Sequence, residues 1–393
     1  MQAVCFHFQL SQPYRLRTYR FFDINEKHDY FDDYQNQYIT NRLAERCYLP
    51  ANQMLLELNE ELGEKMKCSF SISGTSLELF RQYRPEVIDS FQKLYQAHAI
   101  EITGNTYSHS LAALHNKSSF LEQIRLQKEL LREIFDMEPV SFCNTECVYS
   151  DEIGEWLYES GYRIVLTEGA KHILGWKSPG YLYCNPYQPD LLLMLRNYSL
   201  SDDIEFRFSA CDWDQYPLTA EKFMGFLRNT PDGVPMINIY IDYETLGEFH
   251  TMDTGIFDFF KSLFRIIAQS DDFYLISPSD VLKMDLKPAT LHVPWPISGS
   301  GEEKDTSEWI GNELQEEAFS QLYKLEDFYN NSTNKEAKNA WLYLQGVDHF
   351  DYMATRWFPK QSVRKNFEVY SSPYQAFINF MNVVNDIELQ LKK

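Results

Sequence analysis

The chain has 393 residues, which is enough to bury a sizeable core in two domains or in one barrel with an appendage. Its 57 acidic residues outnumber its 36 Lys and Arg residues, so the formal net charge is −21 at pH 7. Because binding to phosphate needs concentrated Lys and Arg, we expect neither nucleic acid nor a membrane as a partner.

The seven cysteines indicate reduced thiols rather than disulfides or a zinc site. None belongs to a Cys-x-x-Cys pair, and no cluster of histidines accompanies Cys143 and Cys147. The segment 2–9 predicts a first strand instead of a secretory signal, and no apolar run has the length of a membrane span. We therefore expect a cytoplasmic protein, and we predict no cofactor.

Strand-like and helix-like patterns alternate over the first 287 residues. Short runs of β-branched and aromatic residues predict strands, and apolar residues at helical spacing predict the helices between them. This alternation is typical of parallel strands joined by crossover helices, in an α/β barrel or a doubly wound sheet. The predicted strands cover residues 2–9, 68–73, 99–104, 139–143, 162–167, 236–241 and 273–276, and the main predicted helices cover 39–62, 118–135, 220–227 and 257–268.

Two regions depart from this alternation. Residues 168–214 are rich in Gly, Pro, Asn and Tyr, with short strand-like pieces at 191–195 and 204–208, and they predict an inserted loop region of functional use. Near Lys287 several prolines form a linker-like bend, and helical patterns follow at 310–328, 335–345 and 373–391. We expect a barrel domain at 1–287 and a helical bundle at 288–393 that packs against it.

Glu146 is the first candidate for chemistry. It follows the predicted strand 139–143 and precedes Ser150, which is expected to cap the next helix. In barrels of alternating strands and helices, the carboxyl ends of the strands carry the catalytic groups. The alternative is an ordinary loop acid that supports the helix start, because strongly placed acids are often structural.

Asp242 is the second candidate, because it follows the buried strand 236–241 and is expected at the same edge of the sheet as Glu146. Two carboxylates on one rim can cleave a glycosidic bond, one as nucleophile and the other as general acid and then base. A separation of about 5 Å gives retention, and one of about 6.5–9.5 Å leaves room for water and gives inversion. Glu244 is expected to supply a negative charge that helps its neighbour hold a proton.

A metal site is the alternative use of these acids. His109, Asp242, Glu244 and His349 could form a set of oxygen and nitrogen ligands. No His-x-His or His-x-x-x-His spacing presents two of them together, so we predict no metal.

At five stretches the chain resembles glycoside hydrolase family 57, specifically its α-amylase-like members. Their order along the chain and their places at strand ends make the set specific, although each is weak alone. The stretches are Ser11-Gln12-Pro13, Glu101-Ile102-Thr103-Gly104, Asn144-Thr145-Glu146, Asp242-Tyr243-Glu244-Thr245-Leu246-Gly247 and residues 345–349.

The resemblance implies an incomplete TIM-type (β/α)7 barrel followed by a C-terminal α-helical bundle that closes over the cleft. It also implies a retaining, metal-independent reaction on α-1,4-glucans, with Glu146 as nucleophile and Asp242 as general acid/base. By position in the motifs, the residues that would hold the sugar are Ser11, Gln12, Glu101, Phe249, Asp348 and His349.

Three further contacts with a sugar are expected. His109, on the loop after the third strand, lies at the right rim, although a histidine bonded to nearby backbone is an equal alternative. Glu244 accompanies Asp242. Trp309 could stack on a sugar from the bundle side, and core packing is the alternative.

Ser11 is the one departure from the family pattern, which has histidine there. Loss of a hydrogen bond to a sugar hydroxyl would weaken binding by about 0.5–1.5 kcal/mol.

The main hypothesis is a retaining glycoside hydrolase or transglycosylase, since a covalent intermediate can react with water or with a second sugar. The alternatives are a non-catalytic or weakly active glucan-binding protein on this scaffold and a metal-dependent deacetylase or mannosidase.

Overall fold

The computed structural model describes residues 1–231, 233–356, 367 and 369–393. Within them the strands occur where runs of β-branched and aromatic side chains can be buried on both faces. In chain order they are β1 Gln2–Leu10, β2 Cys68–Ile72, β3 Ile100–Thr103, β4 Ser141–Cys143, β5 Ile164–Glu168, β6 Tyr183–Cys184, β7 Leu192–Arg196, β8 Met236–Asp242, β9 Phe273–Ile276 and β10 Ala289–Thr290.

The strands curl into a barrel around β1, which pairs in parallel with β2, β8 and β9. One sheet has the order β3-β2-β1-β8, with β9 beside β1, and the other has the order β10-β6-β7-β5-β4. The sheets meet where Gly104 N–H donates to the Ser141 carbonyl (2.8 Å) and where Asn197 N–H donates to the Asn238 carbonyl (2.8 Å). This arrangement confirms the predicted incomplete (β/α)7 barrel.

The helices connect the strands and cover the outside of the barrel. Asn116 and Ser150 illustrate how they begin, since their side chains accept the backbone N–H of Ser119 and Ile153. The helices are α1 Asp33–Leu43, α2 Leu49–Leu62, α3 Gly74–Tyr83, α4 Pro85–Gln96, α5 Lys117–Phe135, α6 Asp151–Glu159, α7 Lys171–Leu174, α8 Tyr198–Glu205, α9 Ala220–Arg228, α10 Ile256–Gln269, α11 Glu313–Tyr323, α12 Glu326–Asn331, α13 Lys335–Leu344, α14 Asp348–Asp351 and α15 Pro373–Leu391.

Aromatic rings form much of the contact between α10 and β1. The ring centroids of Phe260 and Phe264 lie 6.2 and 4.9 Å from that of Phe6. Burial of such rings supplies about 1.5–3 kcal/mol each, and edge-to-face pairs add to this. The core therefore fixes β1, and with it the strand ends at the mouth of the barrel.

Residues 168–214 differ from the inserted loop region that the sequence predicts. The strand-like piece predicted at 191–195 is confirmed as β7 at 192–196, but it runs parallel to β5 and is a strand of the barrel rather than part of an insertion. The predicted strand at 204–208 is wrong, because α8 occupies residues 198–205. The Asn197 side chain caps this helix by accepting Leu200 N–H, and Leu200 and Ile204 bury one helical face.

The segment after Lys287 is bound along the side of the barrel. β10 pairs with β6, and Val293 N–H donates to both oxygens of Asp151 (3.0 and 2.9 Å). Farther on, Gly299 N–H donates to the carbonyl of Glu146 (2.7 Å). The predicted linker-like bend therefore reaches the same loop that carries Glu146.

The C-terminal part is helical, as the sequence predicts. The single helix predicted at 310–328 is instead two helices, α11 and α12, with a break at residues 324–325. α15 contacts the segment after β1, since Asn379 Oδ1 accepts Tyr19 N–H (2.6 Å) and Asp386 Oδ2 accepts the Tyr30 hydroxyl (2.6 Å). Within the described part of the chain, every helix is too short or too polar to cross a membrane.

Candidate active site

Glu146 lies on a short turn directly after β4. Both Glu146 (φ 51°) and Cys147 (φ 57°) have the left-handed backbone conformation, which residues other than glycine seldom adopt. Asn144 holds the turn, because its Oδ1 accepts Thr145 N–H (2.9 Å) and its Nδ2 donates to the Val148 carbonyl (2.9 Å). Backbone strain of this kind is retained where the surroundings determine the conformation, and it is frequent at active sites.

Asp242 is the last residue of β8 and lies beside Gln9 of β1 in the parallel register. Its backbone N–H donates to Glu205 Oε1 (3.3 Å). Glu146 and Asp242 are 1% and 8% exposed. Both line one small inner cavity, together with Gln9, Cys147, Arg196, Glu205, Tyr240, Ile241 and Gly299. The two carboxylate residues that the sequence singles out therefore border the same small cavity.

A larger cleft opens from Gln9 and Asp242, which line both spaces. Its walls come from the strand ends, from the loop after β8 and from residues that precede α15. Of the residues predicted to contact a sugar, those that line it are Ser11, Gln12, His109, Glu244, Phe249 and Asp348. His109 also connects the two spaces, since its Nε2 lies 3.4 Å from Glu146 Oε1.

Glu244 is a buried carboxyl group in the cleft, and its pKa is raised. Burial, and secondly the negative charge of Asp242, raise its pKa to about 7. Tyr48 Oη (2.6 Å) and Gln12 Nε2 (2.9 Å) both donate to Glu244 Oε1 and favour the charged form. The sequence predicts that Glu244 helps its neighbour to hold a proton. In the structure the raised pKa belongs to Glu244 itself.

Ser11 lies in the cleft where the family motif has histidine. Its hydroxyl donates to Ser73 Oγ across 3.3 Å. The next residue, Gln12, is held more firmly: its backbone N–H donates to Ser76 Oγ (2.7 Å), and its Oε1 accepts Arg15 Nη2 (2.8 Å). The motif therefore keeps its amide group in place although the imidazole is missing.

Three residues that the sequence predicts to contact the sugar, Glu101, Trp309 and His349, lie outside the lining of the cleft. Glu101 accepts hydrogen bonds from Ser141 Oγ (2.5 Å) and Ser279 N–H (2.9 Å), so its carboxylate ties β3 to β4 and to the segment after β9. Trp309 is 0% exposed and packs in the core. His349 is 2% exposed, and burial lowers its pKa to about 4. None of the three is among the described residues that line the cleft.

Several residues that line the two spaces are not among those predicted from the sequence. Arg196 and Glu205 line the inner cavity, and Arg15, Glu308 and Tyr352 line the outer cleft. A signal existed for Arg196, because it is the last residue of β7 and strand ends meet at one rim. In residues 1–231, 233–356, 367 and 369–393, no group of three or more His, Cys, Asp or Glu side chains is arranged to hold a metal ion.

Comparison with known proteins gives the same family as the motifs. The family model described as glycosyl hydrolase family 57 matches residues 5–294. A protein of Methanocaldococcus jannaschii described as "Putative alpha-amylase" is 35% identical over 407 aligned positions, which cover 99% of this chain and 85% of that protein.

Two solved structures share the fold. The 4-alpha-glucanotransferase from Thermococcus litoralis aligns with a TM-score of 0.64 and 17% identity, covering 89% of this chain and 56% of that chain. A branching enzyme from Thermococcus kodakaraensis aligns with a TM-score of 0.69 and 12% identity, covering 90% of this chain and 86% of that chain. The sequence matches and the shared barrel agree, and this chain belongs to glycosyl hydrolase family 57.

Proposed function

We propose that this protein is a retaining hydrolase or transglycosylase of α-1,4-glucans, with Glu146 as nucleophile and Asp242 as general acid and base. The observation that carries the proposal is that Asp242 ends β8, Glu146 lies on the turn after β4, and both line one small cavity. The relatives named as amylase, glucanotransferase and branching enzyme support an α-glucan as substrate.

In the first step Glu146 attacks the anomeric carbon while Asp242 gives its proton to the departing glycosidic oxygen. The C–O bond to the leaving sugar breaks, and a glycosyl ester with Glu146 forms. In the second step Asp242 takes a proton from water or from a sugar hydroxyl, which attacks the same carbon and releases Glu146. His109 Nε2 lies 3.4 Å from Glu146 Oε1, so it is positioned to form a hydrogen bond with the Glu146 carboxylate that the second step releases.

The outer cleft supplies contacts for the rest of the sugar chain. Carboxyl and amide groups of Gln12, Glu244 and Asp348 offer partners for sugar hydroxyls, and the rings of Phe249 and Phe367 offer flat apolar surfaces. Such a mixture of polar and aromatic groups suits a neutral oligosaccharide better than a charged ligand.

The test is incubation with maltooligosaccharides, followed by analysis of the products. We expect wild-type protein to shorten or redistribute the chains, and Glu146→Gln to reduce the rate by several orders of magnitude. Asp242→Asn should slow substrates with poor leaving groups most, because only these need protonation. Glu133→Gln is the matched control, because Glu133 pairs with Arg81 on the exposed surface.

A glucan-binding protein without catalysis is the second candidate, and Ser11 in place of the family histidine is the observation that favours it. This reading requires that wild-type protein and Glu146→Gln bind maltooligosaccharides equally and that neither changes them. Equal binding together with turnover by the wild type alone would remove it.

Treatment with a chelator distinguishes the proposed function from the third alternative, a metal-dependent deacetylase or mannosidase. We expect maltooligosaccharide turnover to be unchanged after exhaustive treatment with a chelator, because the proposed steps use only carboxyl groups. Loss of turnover that returns on addition of a divalent cation would favour the metal-dependent reaction.

A further inference from the structure

Arg196 is the last residue of β7 and shares the inner cavity with both candidate catalytic residues. It lines the inner cavity, and it is 5% exposed. Its Nε donates to the carbonyl of Tyr240 (2.8 Å), two residues before Asp242 on β8. The guanidinium group is therefore fixed to the strand that carries the general acid, and its two remaining nitrogens reach carboxylates on either side.

One side of the guanidinium leads to Asp242. Arg196 Nη2 lies 3.2 Å from Glu205 Oε2, and Glu205 Oε1 accepts the backbone N–H of Asp242 (3.3 Å). Glu205 is 1% exposed and ends α8. Its two oxygens thus bridge the arginine and the main chain of the strand end, so a shift of Arg196 would be transmitted to Asp242 through one carboxylate.

The other side leads to Glu146. Arg196 Nη1 lies 3.3 Å from Glu168 Oε2, and Lys304 Nζ lies 3.7 Å from the same oxygen. Lys304 also donates to the carbonyl of Gly299 (3.0 Å), and Gly299 N–H donates to the carbonyl of Glu146 (2.7 Å). The left-handed turn that carries Glu146 is therefore connected to Arg196 through residues 299–304, which follow β10, and through Glu168.

The charges in this network depend on one another. Burial raises the pKa of Glu168, and the positive charges of Arg196 and Lys304 oppose that shift. Asp202 also contacts Arg196 Nη2 (2.7 Å), so the guanidinium balances three carboxylates at once. A planar group with donors in a fixed fork suits this arrangement, and a lysine could not reach all three with the same geometry.

We propose that Arg196 is a positioning residue that sets the placement of both catalytic carboxylates, Asp242 through Glu205 and Glu146 through Glu168, Lys304 and Gly299. The inference rests on the proposed function, because it assumes that these two carboxylates perform the reaction. The inference adds that Glu205 and Lys304 affect different parts of the reaction. Glu205 affects protonation of the leaving group because it positions Asp242, and Lys304 affects nucleophilic attack because it positions Glu146 through Gly299.

The experiment compares two substrates in each variant. Maltotriosyl fluoride loses fluoride without protonation, so its kcat/KM reports on attack by Glu146. Maltotriose needs a proton from Asp242, so its kcat/KM reports on both residues. The ratio of the two values is independent of the fraction of folded protein, and a merely structural role would leave it unchanged.

We expect Glu205→Leu to lower kcat/KM for maltotriose by about tenfold to a hundredfold and to change the value for the fluoride much less. Glu205→Gln, which keeps an oxygen for Asp242 N–H, should restore part of the loss. Lys304→Met should lower both values by a similar factor while its circular dichroism spectrum and unfolding temperature stay at the wild-type values, which excludes a smaller fraction of folded protein as the cause. Arg196→Lys should lower both, with the larger loss for maltotriose.

Arg207→Met is the matched control, because Arg207 pairs with Asp203 on the same part of the chain and is half-exposed outside the cavity. It should leave both values near wild type. A wild-type ratio in both Glu205 variants would overturn the proposal, and so would unchanged activity in Lys304→Met. A wild-type protein that is inactive on both substrates would instead overturn the proposed function.

Discussion

The hydroxyl of Tyr48 donates to Glu244 Oε1 across 2.6 Å, in a part of the site where both side chains are buried. Burial and the nearby Asp242 raise the pKa of Glu244 to about 7, and the hydrogen bond from Tyr48 opposes that shift. The hydrogen bond from Tyr48 therefore stabilises the negative charge of Glu244, which burial makes unfavourable.

Tyr48→Phe should raise the pKa of Glu244 above about 7 and destabilise the protein more at pH 8.5 than at pH 5.5. A bond to the charged carboxylate contributes about 1.5–3 kcal/mol, and a bond to the neutral acid about 0.5–1.5 kcal/mol. Urea unfolding at the two pH values measures the difference. Tyr243→Phe is the control, because the Tyr243 hydroxyl donates to the neutral amide of Asn52. The loss of unfolding free energy in this variant should therefore be the same at both pH values.

The sign of the pH dependence follows from the raised pKa of Glu244. Between pH 4.5 and about 7 the folded protein holds this proton more tightly than the unfolded chain, so this group lowers stability as the pH rises through that interval. Glu244→Gln should remove that decline. A decline equal to that of the wild type would contradict the assignment.

Ser11→His should strengthen binding of maltooligosaccharides, because it restores the donor that the family motif provides. One hydrogen bond of about 0.5–1.5 kcal/mol corresponds to roughly twofold to tenfold in the dissociation constant. Calorimetric titration in the Glu146→Gln background measures binding without turnover. Weaker binding in the double variant would mean that the hydroxyl of Ser11, which donates to Ser73, is the better fit to this cleft.

Gly247→Ala should destabilise the loop after β8, which follows Asp242 and carries Glu244. The glycine has φ +107°, and an added Cβ would lie 2.0 Å from the carbonyl oxygen of Arg46. Strain of this kind costs on the order of 1–3 kcal/mol before the clash is counted. Gly225→Ala is the control, because no atom lies within 4 Å of its added Cβ and it stands inside α9. Thermal unfolding should show a loss for the first and a small gain for the second.

The barrel and the meeting of Glu146 with Asp242 could be predicted from the sequence, because each residue follows a buried run of strand length. Parallel strands bring such ends to one rim whatever their separation along the chain. The positions of β1 and β8 follow from the same patterns. No knowledge of side-chain packing was needed for these predictions.

The directions of individual side chains could not be predicted in this way. Glu101 is on a motif stretch, yet its carboxylate bonds Ser141 and Ser279 away from the cleft. Trp309, in a turn before α11, and His349, in α14, are on stretches near the cleft, yet both are buried. Whether such a residue faces the cleft or the core depends on how the turns and helices of the C-terminal part pack, and periodicity gives only the faces of a helix.

Arg196 was missed for a different reason. The sequence predicts a strand-like piece at 191–195, but the loop-like composition of residues 168–214 assigns it to an inserted region instead of the barrel. Once Leu192–Arg196 is recognised as a strand of the barrel, the rule that located Glu146 and Asp242 also locates Arg196.

The most direct test of the central claim is mass spectrometry of a trapped intermediate. A fluorinated maltosyl fluoride, which forms the glycosyl ester quickly and releases it slowly, should add one fluorinated maltosyl group (two sugar units) to the protein, and the peptide that carries it should contain the ester at Glu146. Glu146→Gln should take up none. Attachment at another residue, or turnover of maltooligosaccharides with inversion and no adduct, would contradict the account.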